Sequence, residues 1–248
     1  MVGCRCLFAF ALALAPLVLG AAGPDPQQLL RLSDQARGGG LPGLVWEVTT
    51  VNSGSKADPD DLPMRLLIKA VDSSSLAETL EPLRSKGGRM LQVDRNMWLT
   101  KPGLTKPVPI SPRQRLTGQA AIGDIAATNY AKDYTPALVR EEDVRGERCY
   151  LLALRASGRQ STYDRIDYWV SAARGLALRA DFLALSGKKL KSAEFDYDNR
   201  IELQGRTIPF VSRMVISDAL TDARTTLEYH HVTIKAVPPS TFDVSHLE

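Results

Sequence analysis

The side chains that most often carry chemistry are few in this sequence, and their spacing selects no reaction. The three histidines are His230, His231 and His246. The first two are consecutive, and neighbours along a strand point to opposite faces, so they do not readily share one metal ion. The sequence contains no Gly-x-Ser-x-Gly elbow, no glycine-rich phosphate loop and no dinucleotide fingerprint. We therefore predict that the protein is not an enzyme and holds neither a metal nor a cofactor.

The acidic residues and cysteines support the same interpretation. Glu141-Glu142 and Asp60-Asp61 are consecutive pairs, which are typical of solvated loops and strand edges. A glycosidase-type pair of carboxylates stays open as an alternative, although no pair is singled out by its position. Cys149 is the single cysteine beyond residue 22, so no disulfide can form within that part of the chain. We expect Cys149 to be a small buried side chain on a strand.

The N-terminus has the pattern of a secretory signal peptide. Arg5 precedes an uncharged apolar run, residues 7–19, which is followed by small residues at 20–23. That run is shorter than the about 20 residues that a membrane-spanning helix needs, and an uncleaved anchor is the alternative. We predict that residues 1–22 are cleaved and that residues 23–248 form a single exported domain.

The composition agrees with a globular product. Hydrophobic residues make up 44% of the chain and charged residues 24%, which are ordinary values. The formal net charge is +3, and no basic run is interleaved with aromatic residues. We therefore expect no nucleic-acid partner.

The elements that must position any site are mostly strands. Apolar and polar residues alternate with period two in five segments: 44–49, 64–71, 166–171, 178–184 and 193–197. This alternation predicts antiparallel sheet with one apolar face, on which Leu178, Ala180 and Phe182 lie together. Glycine-containing pairs predict the turns between strands, at 87–88, 145–146, 157–158, 186–187 and 204–205. We predict about ten or eleven strands in a curved sheet, which must close or be plugged by helices to hide its apolar face.

Two segments depart from the strand pattern. Residues 25–37 predict a helix, because Asp25 can cap it and Pro26 suits its first turn. Residues 101–130 contain four prolines, which exclude a central strand. A short helix is predicted to begin at Ser111-Pro112 and to run through Leu116. We expect this long insertion to cover the sheet, since long irregular loops commonly serve as covers or binding segments.

The insertion also carries a resemblance to a known family. Residues 95–124, RNMWLTKPGLTKPVPISPRQRLTGQAAIGD, resemble the outer-membrane lipoprotein-sorting protein family, the LolA-like group. Residues 166–171, IDYWVS, are similar to that family's Trp-Val-Asp strand. The resemblance covers roughly residues 44–245. The chain departs from the family where residues 122–125, IGDI, replace the usual Gly-Ser-Asp-Phe, and where Thr100 replaces an aromatic residue.

The resemblance implies a mainly β (α+β) fold. In this fold a curved antiparallel sheet forms an unclosed β-barrel, with an N-terminal helix and a helical or loop cover. It also implies a periplasmic carrier, whose apolar interior holds acyl chains of a lipid or lipoprotein and which delivers its cargo towards the outer membrane. The implied partners are an inner-membrane transporter as donor and an outer-membrane acceptor. The alternative is a regulatory module of the same fold that senses lipoproteins; such a sensor often carries a second domain.

The predicted site consists of two sets of residues. The acyl-binding set combines residues on the apolar side of the strands with aromatic residues of the family-like segments: Trp46, Leu66, Ile68, Trp98, Tyr168, Phe182 and Phe195. The lid set lies within residues 109–125, which we call the cover segment: Arg113, Arg115, Gly118, Gly123 and Asp124. Glycines allow a hinge, and guanidinium groups match the phosphates of a headgroup or bilayer. An ordinary packed core and a solvated helix end are the alternatives for the two sets.

Overall fold

A computed structural model describes residues 23–55 and 61–247. The predicted signal peptide, residues 1–22, lies outside the described residues. Helix α1 (Pro26–Gln35) begins as the sequence predicts, because the Asp25 side chain accepts a hydrogen bond from the Gln27 amide at 3.0 Å. The helix is followed by Gly38 at a φ of 95°, a left-handed conformation that glycine adopts without strain.

Most of the described chain is strand, with one further short helix, α2 (Tyr130–Asp133). The strands in the described ranges are β1 (Leu44–Ser53), β2 (Met64–Val71), β3 (Ser74–Glu81), β4 (Arg89–Val93), β5 (Asn96–Thr100), β6 (Val108–Ile110), β7 (Arg115–Thr117), β8 (Ala120–Ala121), β9 (Tyr134–Val144), β10 (Glu147–Ala156), β11 (Arg165–Ser171), β12 (Ala177–Leu183), β13 (Lys189–Asp196), β14 (Asn199–Leu203), β15 (Arg206–Phe210), β16 (Arg213–Asp218) and β17 (Arg224–Ile234).

Thirteen of these strands form one antiparallel sheet in the order β6-β5-β4-β3-β2-β1-β17-β16-β13-β12-β11-β10-β9. The sheet is curved and does not close, so β6 and β9 are its edges; this confirms the predicted fold class. All five predicted turn pairs lie between consecutive strands. The strands outnumber the prediction partly because β7–β8 and β14–β15 form two small separate hairpins.

The concave face of the sheet is filled by side chains and by α1. Leu30 of the helix is fully buried in the same cluster as Trp46 and Phe195 of the sheet. The end of the helix is tied to the sheet side of the molecule by a hydrogen bond from the Val211 amide to the Ala36 carbonyl, at 2.9 Å. The helix therefore plugs the open sheet, which is one of the two predicted ways to hide its apolar face.

The prediction of a helix that begins at Ser111-Pro112 is wrong. Residues 111–114 form a turn closed by the Gln114 amide on the Ser111 carbonyl at 3.1 Å. The amide of Ile122 then reaches back to the Gln114 carbonyl at 2.9 Å, so the chain folds on itself as a loop with the β7–β8 hairpin at its tip. The backbone groups pair across this loop instead of along a helix axis. Pro109 lies in β6, an edge strand, in agreement with the predicted exclusion of a central strand.

The prediction that Leu178 lies on the apolar, inner face of the sheet is also wrong. A register shift between Trp169 and Val170 of β11 moves Leu178 to the outer face, whereas Phe182 stays on the inner face. Leu178 packs there with Cys149 and Trp169. Cys149 is fully buried on β10, which confirms its predicted structural role.

Candidate functional site

Six of the seven predicted acyl-binding residues meet in the centre of the concave face. None is more than 1% exposed, and all belong to one cluster: Trp46, Leu66, Ile68, Tyr168, Phe182 and Phe195. The aromatic members of this set pack against neighbouring aromatic side chains. Phe182 stacks on Tyr163 with ring centroids 4.0 Å apart, and Trp46 contacts Phe210 edge-on with centroids 6.0 Å apart. The centre of the sheet is therefore filled by the protein's own side chains.

Trp98 is separated from the other six by the strand register. It pairs with Leu91, whereas the adjacent Leu99 pairs with Met90 on the inner face. Trp98 therefore lies on the outer, convex face of the sheet. The structure does not bring it together with the predicted acyl-binding set.

An open cleft lies on the inner face, to one side of the filled centre. Its volume is about 370 Å³, within the range of small-ligand sites. Its apolar lining includes Met64 of β2, Met90 of β4, Leu99 of β5 and Leu116 of β7. We call it the methionine cleft. The signal for it in the sequence was the pair of inward-facing methionines, whose unbranched thioether chains adapt to irregular shapes.

The cover segment forms one wall of this cleft through Leu116 and Thr117. Its two predicted arginines are both engaged by carboxylates: Arg113 with Asp164 and Arg115 with Asp61, each at 2.8 Å. Both arginine side chains are more than a third exposed, and ion pairs of this kind contribute little stability. The first half of the cover segment is therefore held in part by exposed ion pairs, and also by the buried Thr117, whose hydroxyl accepts a hydrogen bond from Asn52 Nδ2 at 2.9 Å.

The second half of the cover segment is anchored firmly. Asp124 is buried, and its carboxylate accepts hydrogen bonds from the Tyr163 hydroxyl at 2.7 Å and from the Ala121 amide at 2.9 Å. Gly123 fits closely, since a Cβ there would lie 2.1 Å from Thr162 Oγ1. Gly118 has a φ of 47° and stands between the two halves. The five predicted lid residues thus share one segment, whose first half carries two partly exposed ion pairs and whose second half is anchored at the buried Asp124.

Sequence reasoning missed two buried ionisable side chains at the C-terminal end of α1, Asp34 in its last turn and Arg37 just after it. Burial raises the pKa of Asp34 from its ordinary 3.8 to about 7, although its Oδ2 accepts the Ala131 amide at 2.8 Å. The guanidinium of Arg37 lies 4.5 Å from the Phe195 ring centroid and donates to the Tyr168 hydroxyl at 3.5 Å. Charged residues at the end of a helix are usually solvated, so nothing in the sequence pattern separated these two from surface residues.

A second, wider cleft of about 670 Å³ is lined mainly by arginines. Arg155, Arg159 and Arg165 line it and form no ion pair with any residue in 23–55 or 61–247. Asp164 also lines this cleft, but it is already paired with Arg113. The cleft therefore has a positive charge that other residues of the described chain do not neutralise.

The described part of the chain contains neither a metal-ligand cluster nor a membrane-spanning helix. His230 contacts Thr49 at 3.0 Å, and the rings of His230 and His231 are 6.4 Å apart and tilted. Among residues 23–55 and 61–247, no group of three or more His, Cys, Asp or Glu side chains is placed to hold a metal ion. The helices in those same residues are all too short or too polar to cross a membrane.

Comparisons with known proteins agree on this architecture. A family model described only as an uncharacterized protein matches residues 71–248. A LolA superfamily protein from Nitrosomonas europaea is 27% identical; the match covers 89% of this chain and 98% of that one, with a TM-score of 0.78. No curated protein matches the sequence.

Two further solved structures share the fold at lower identity. A DUF1329 family protein from Desulfovibrio piger is 20% identical with a TM-score of 0.75, covering 91% of this chain and all of that one. An outer membrane lipoprotein-sorting protein domain, described as putative, from Vibrio parahaemolyticus is 16% identical with a TM-score of 0.74, covering 90% and 99%. At these identities the two matches show the fold alone.

Proposed function

This chain has the LolA-like fold and belongs to the family whose model spans residues 71–248, and from that premise we propose that it is a periplasmic carrier for an acyl chain of a lipid or lipoprotein. The methionine cleft is the observation that carries the proposal. Its wall combines thioether and aliphatic side chains with polar and charged ones, including Asp61, and it is open, whereas the centre of the concave face is filled. A binding protein of this kind needs no catalytic group.

The cleft suits a ligand with an apolar tail and a polar end. Met64, Met90 and Leu99 form its apolar floor, and Lys101 and Arg84 lie at its margin. An acyl chain laid on the floor would place its carboxylate, ester or phosphate near these cations. The six buried residues of the predicted acyl-binding set pack the core and do not line this cleft.

The cover segment is the movable wall in this proposal. Its first half touches the cleft through Leu116 and is held by two partly exposed ion pairs. Gly118 is placed to act as the hinge. Displacing residues 111–117 would widen the cleft and would break the hydrogen bonds that the Ile122 and Gly123 amides donate to the Gln114 and Pro112 carbonyls.

Filling the cleft tests the proposal. We expect Leu99→Trp to weaken binding of a fluorescent fatty acid about tenfold or more, because the larger ring occupies the apolar floor. Leu138→Trp, at an exposed position on β9 away from the cleft, is the matched control and should bind like the wild type. Thermal unfolding of both variants would show whether each is folded.

Equal affinity of Leu99→Trp and wild type would contradict the assignment of the cleft. Native mass spectrometry of protein taken from a periplasmic extract would add an independent answer, since a carrier should retain a lipid of defined mass. Delivery towards the outer membrane, from an inner-membrane donor to an outer-membrane acceptor, is the further step that the proposal includes.

A further inference from the structure

The wider cleft, of about 670 Å³, is not used by the acyl-binding proposal. Three segments that are distant in the chain meet there: the cover segment at Arg113, the β10–β11 hairpin at residues 155–159 and 164–165, and the β12–β13 connection at Leu185. Arg113 Nε donates to the Ser161 carbonyl at 2.9 Å, which joins the first two segments. The strand pair Arg165–Leu183 sets the third beside them. We call this site the arginine cleft.

The charges that line the arginine cleft are mainly positive. One acidic residue, Asp164, is part of the lining, and it is paired with Arg113 at 2.8 Å. The next carboxylate along β11, that of Asp167, is not part of the lining. Three further arginines of the cleft form no side-chain hydrogen bond or ion pair with any residue of the described ranges: Arg155, Arg159 and Arg165. Cations gathered in one cleft raise the local concentration of anions.

Two of these arginines are placed directly opposite each other. Arg155 of β10 pairs with Arg165 of β11 in the strand register. Both lie on the outer face, because their neighbours Leu154 and Ile166 belong to the inner cluster. Like charges in opposite positions destabilise a pair of strands. The stability of the fold gives no reason for this pair, whereas an anion bound between the two guanidinium groups removes their repulsion.

The loop that carries Arg159 is fixed by hydrogen bonds to α2. The Ser157 amide donates to the Asp133 carbonyl at 2.9 Å. The Ser161 hydroxyl donates to the same carbonyl at 3.2 Å. The backbone of the arginine cleft is therefore in place before a ligand arrives, which lowers the entropic cost of binding.

Phosphate is the anion that this set of donors fits. The planar N–H groups of a guanidinium pair with two oxygens of one phosphate. A carboxylate has a single charge, whereas a terminal phosphate has nearly two and matches several guanidinium groups better. We propose that Arg155, Arg159 and Arg165 bind a terminal phosphate or diphosphate, which belongs to a small soluble molecule or to a lipid headgroup. This site is separate from the methionine cleft and does not depend on its acyl-binding function.

Calorimetric titration at low salt tests the site with two probes. Pyrophosphate represents a soluble ligand, and dihexanoyl phosphatidic acid below its micellar concentration represents a headgroup with a terminal phosphate. Dihexanoyl phosphatidylcholine has the same acyl chains without a terminal phosphate and shows what the chains contribute. We expect the wild-type protein to bind at least one phosphate probe, and more weakly as salt is added. Stronger binding of pyrophosphate identifies a soluble ligand, and stronger binding of phosphatidic acid identifies a headgroup.

Removing the opposed arginines should abolish most of this affinity. Arg155→Gln/Arg165→Gln should weaken binding of the preferred probe by about tenfold or more, because charge-assisted hydrogen bonds are lost. The matched control is Arg206→Gln/Arg224→Gln, which removes the same charge from two exposed arginines of β15 and β17 outside the cleft. It should bind like the wild type. Equal loss in both variants would overturn the proposal, and so would the absence of wild-type binding to either phosphate probe.

Thermal unfolding separates a ligand-binding pair from a structural one. Without phosphate, Arg155→Gln/Arg165→Gln should be at least as stable as the wild type, because the repulsion between the strands is removed. Pyrophosphate should raise the unfolding temperature of the wild type more than that of this variant. A variant that is much less stable without phosphate, and is stabilised by pyrophosphate as much as the wild type, would assign the two arginines to the fold and overturn the proposal.

The fatty-acid measurement keeps the two proposed sites apart. The arginine variant should bind the fluorescent fatty acid like the wild type. If the wild-type protein binds pyrophosphate through the arginine cleft but takes up no fatty acid, the phosphate site stands and the acyl-binding function fails.

Discussion

Asp34 and Arg37 are charged side chains that the fold buries beside its aromatic cluster. The Asp34 carboxyl keeps its proton to about pH 7 in the folded chain because burial disfavours the charge, and one of its oxygens has no hydrogen-bond partner. In the unfolded chain the same group loses its proton near an ordinary pKa of about 4. The folded state therefore has its full advantage below that value and loses it as the pH rises to about 7.

We expect Asp34→Asn to remove this pH dependence. Relative to the variant, the wild-type protein should lose on the order of 4 kcal/mol of unfolding free energy between about pH 4 and pH 8, since each pKa unit corresponds to about 1.4 kcal/mol. The amide oxygen can still accept from the Ala131 amide, so the variant should fold. Urea unfolding of both proteins across this range measures the difference. Parallel pH profiles would show that Asp34 does not titrate in this way.

At the scale of elements, the cover segment divides at Gly118. We expect amides of residues 113–118 to exchange with solvent faster than those of 121–125, because the first group depends on partly exposed ion pairs and the second on the buried Asp124. Binding of a fatty acid should slow exchange in the first group. Hydrogen exchange read by mass spectrometry would resolve the two halves.

Asp61→Asn sharpens this test, since Asp61 accepts from both the Arg115 side chain and the Gly118 amide. The variant should speed exchange in residues 115–118 only. Asp72→Asn, which breaks an exposed ion pair with Lys132, is the control and should leave the cover segment unchanged. Uniform exchange along residues 113–125 in the wild-type protein would count against the hinge.

The strands, turns and first helix could be predicted because each depends on local rules. Asp25 caps α1 as its type and position indicate, and the glycine-containing pairs mark turns. The face of Leu178 could not be predicted, because Leu178 is the extra residue of a bulge in β12, between Ala177 and Arg179, and nothing in the sequence marks this bulge. The same limit applies to the site: alternation identified inward-facing residues such as Leu66, but whether they pack a core or line a cleft depends on how far the sheet curves.

At the scale of the whole molecule, we predict that the chain is exported and that its signal peptide is removed. We expect the protein recovered from the periplasm of a bacterial host to have an intact mass that corresponds to residues 23–248. Ala22→Trp should block cleavage, because the position before the cleavage site requires a small residue. Recovery of the wild-type chain at full length in the membrane would contradict the assignment.

The open sheet has a further consequence at its two edges, which concerns self-association. An uncovered strand edge is a template on which a second copy can continue the sheet, and repeated addition gives a fibre. Here β6 is three residues long and contains Pro109, which removes a donor. The long edge β9 contains Pro136, a register shift against Leu151 and Leu152, and four charged residues at 140–143. These features oppose the addition of a second copy to either edge, so the thirteen-stranded sheet can stay open without continuing into a fibre.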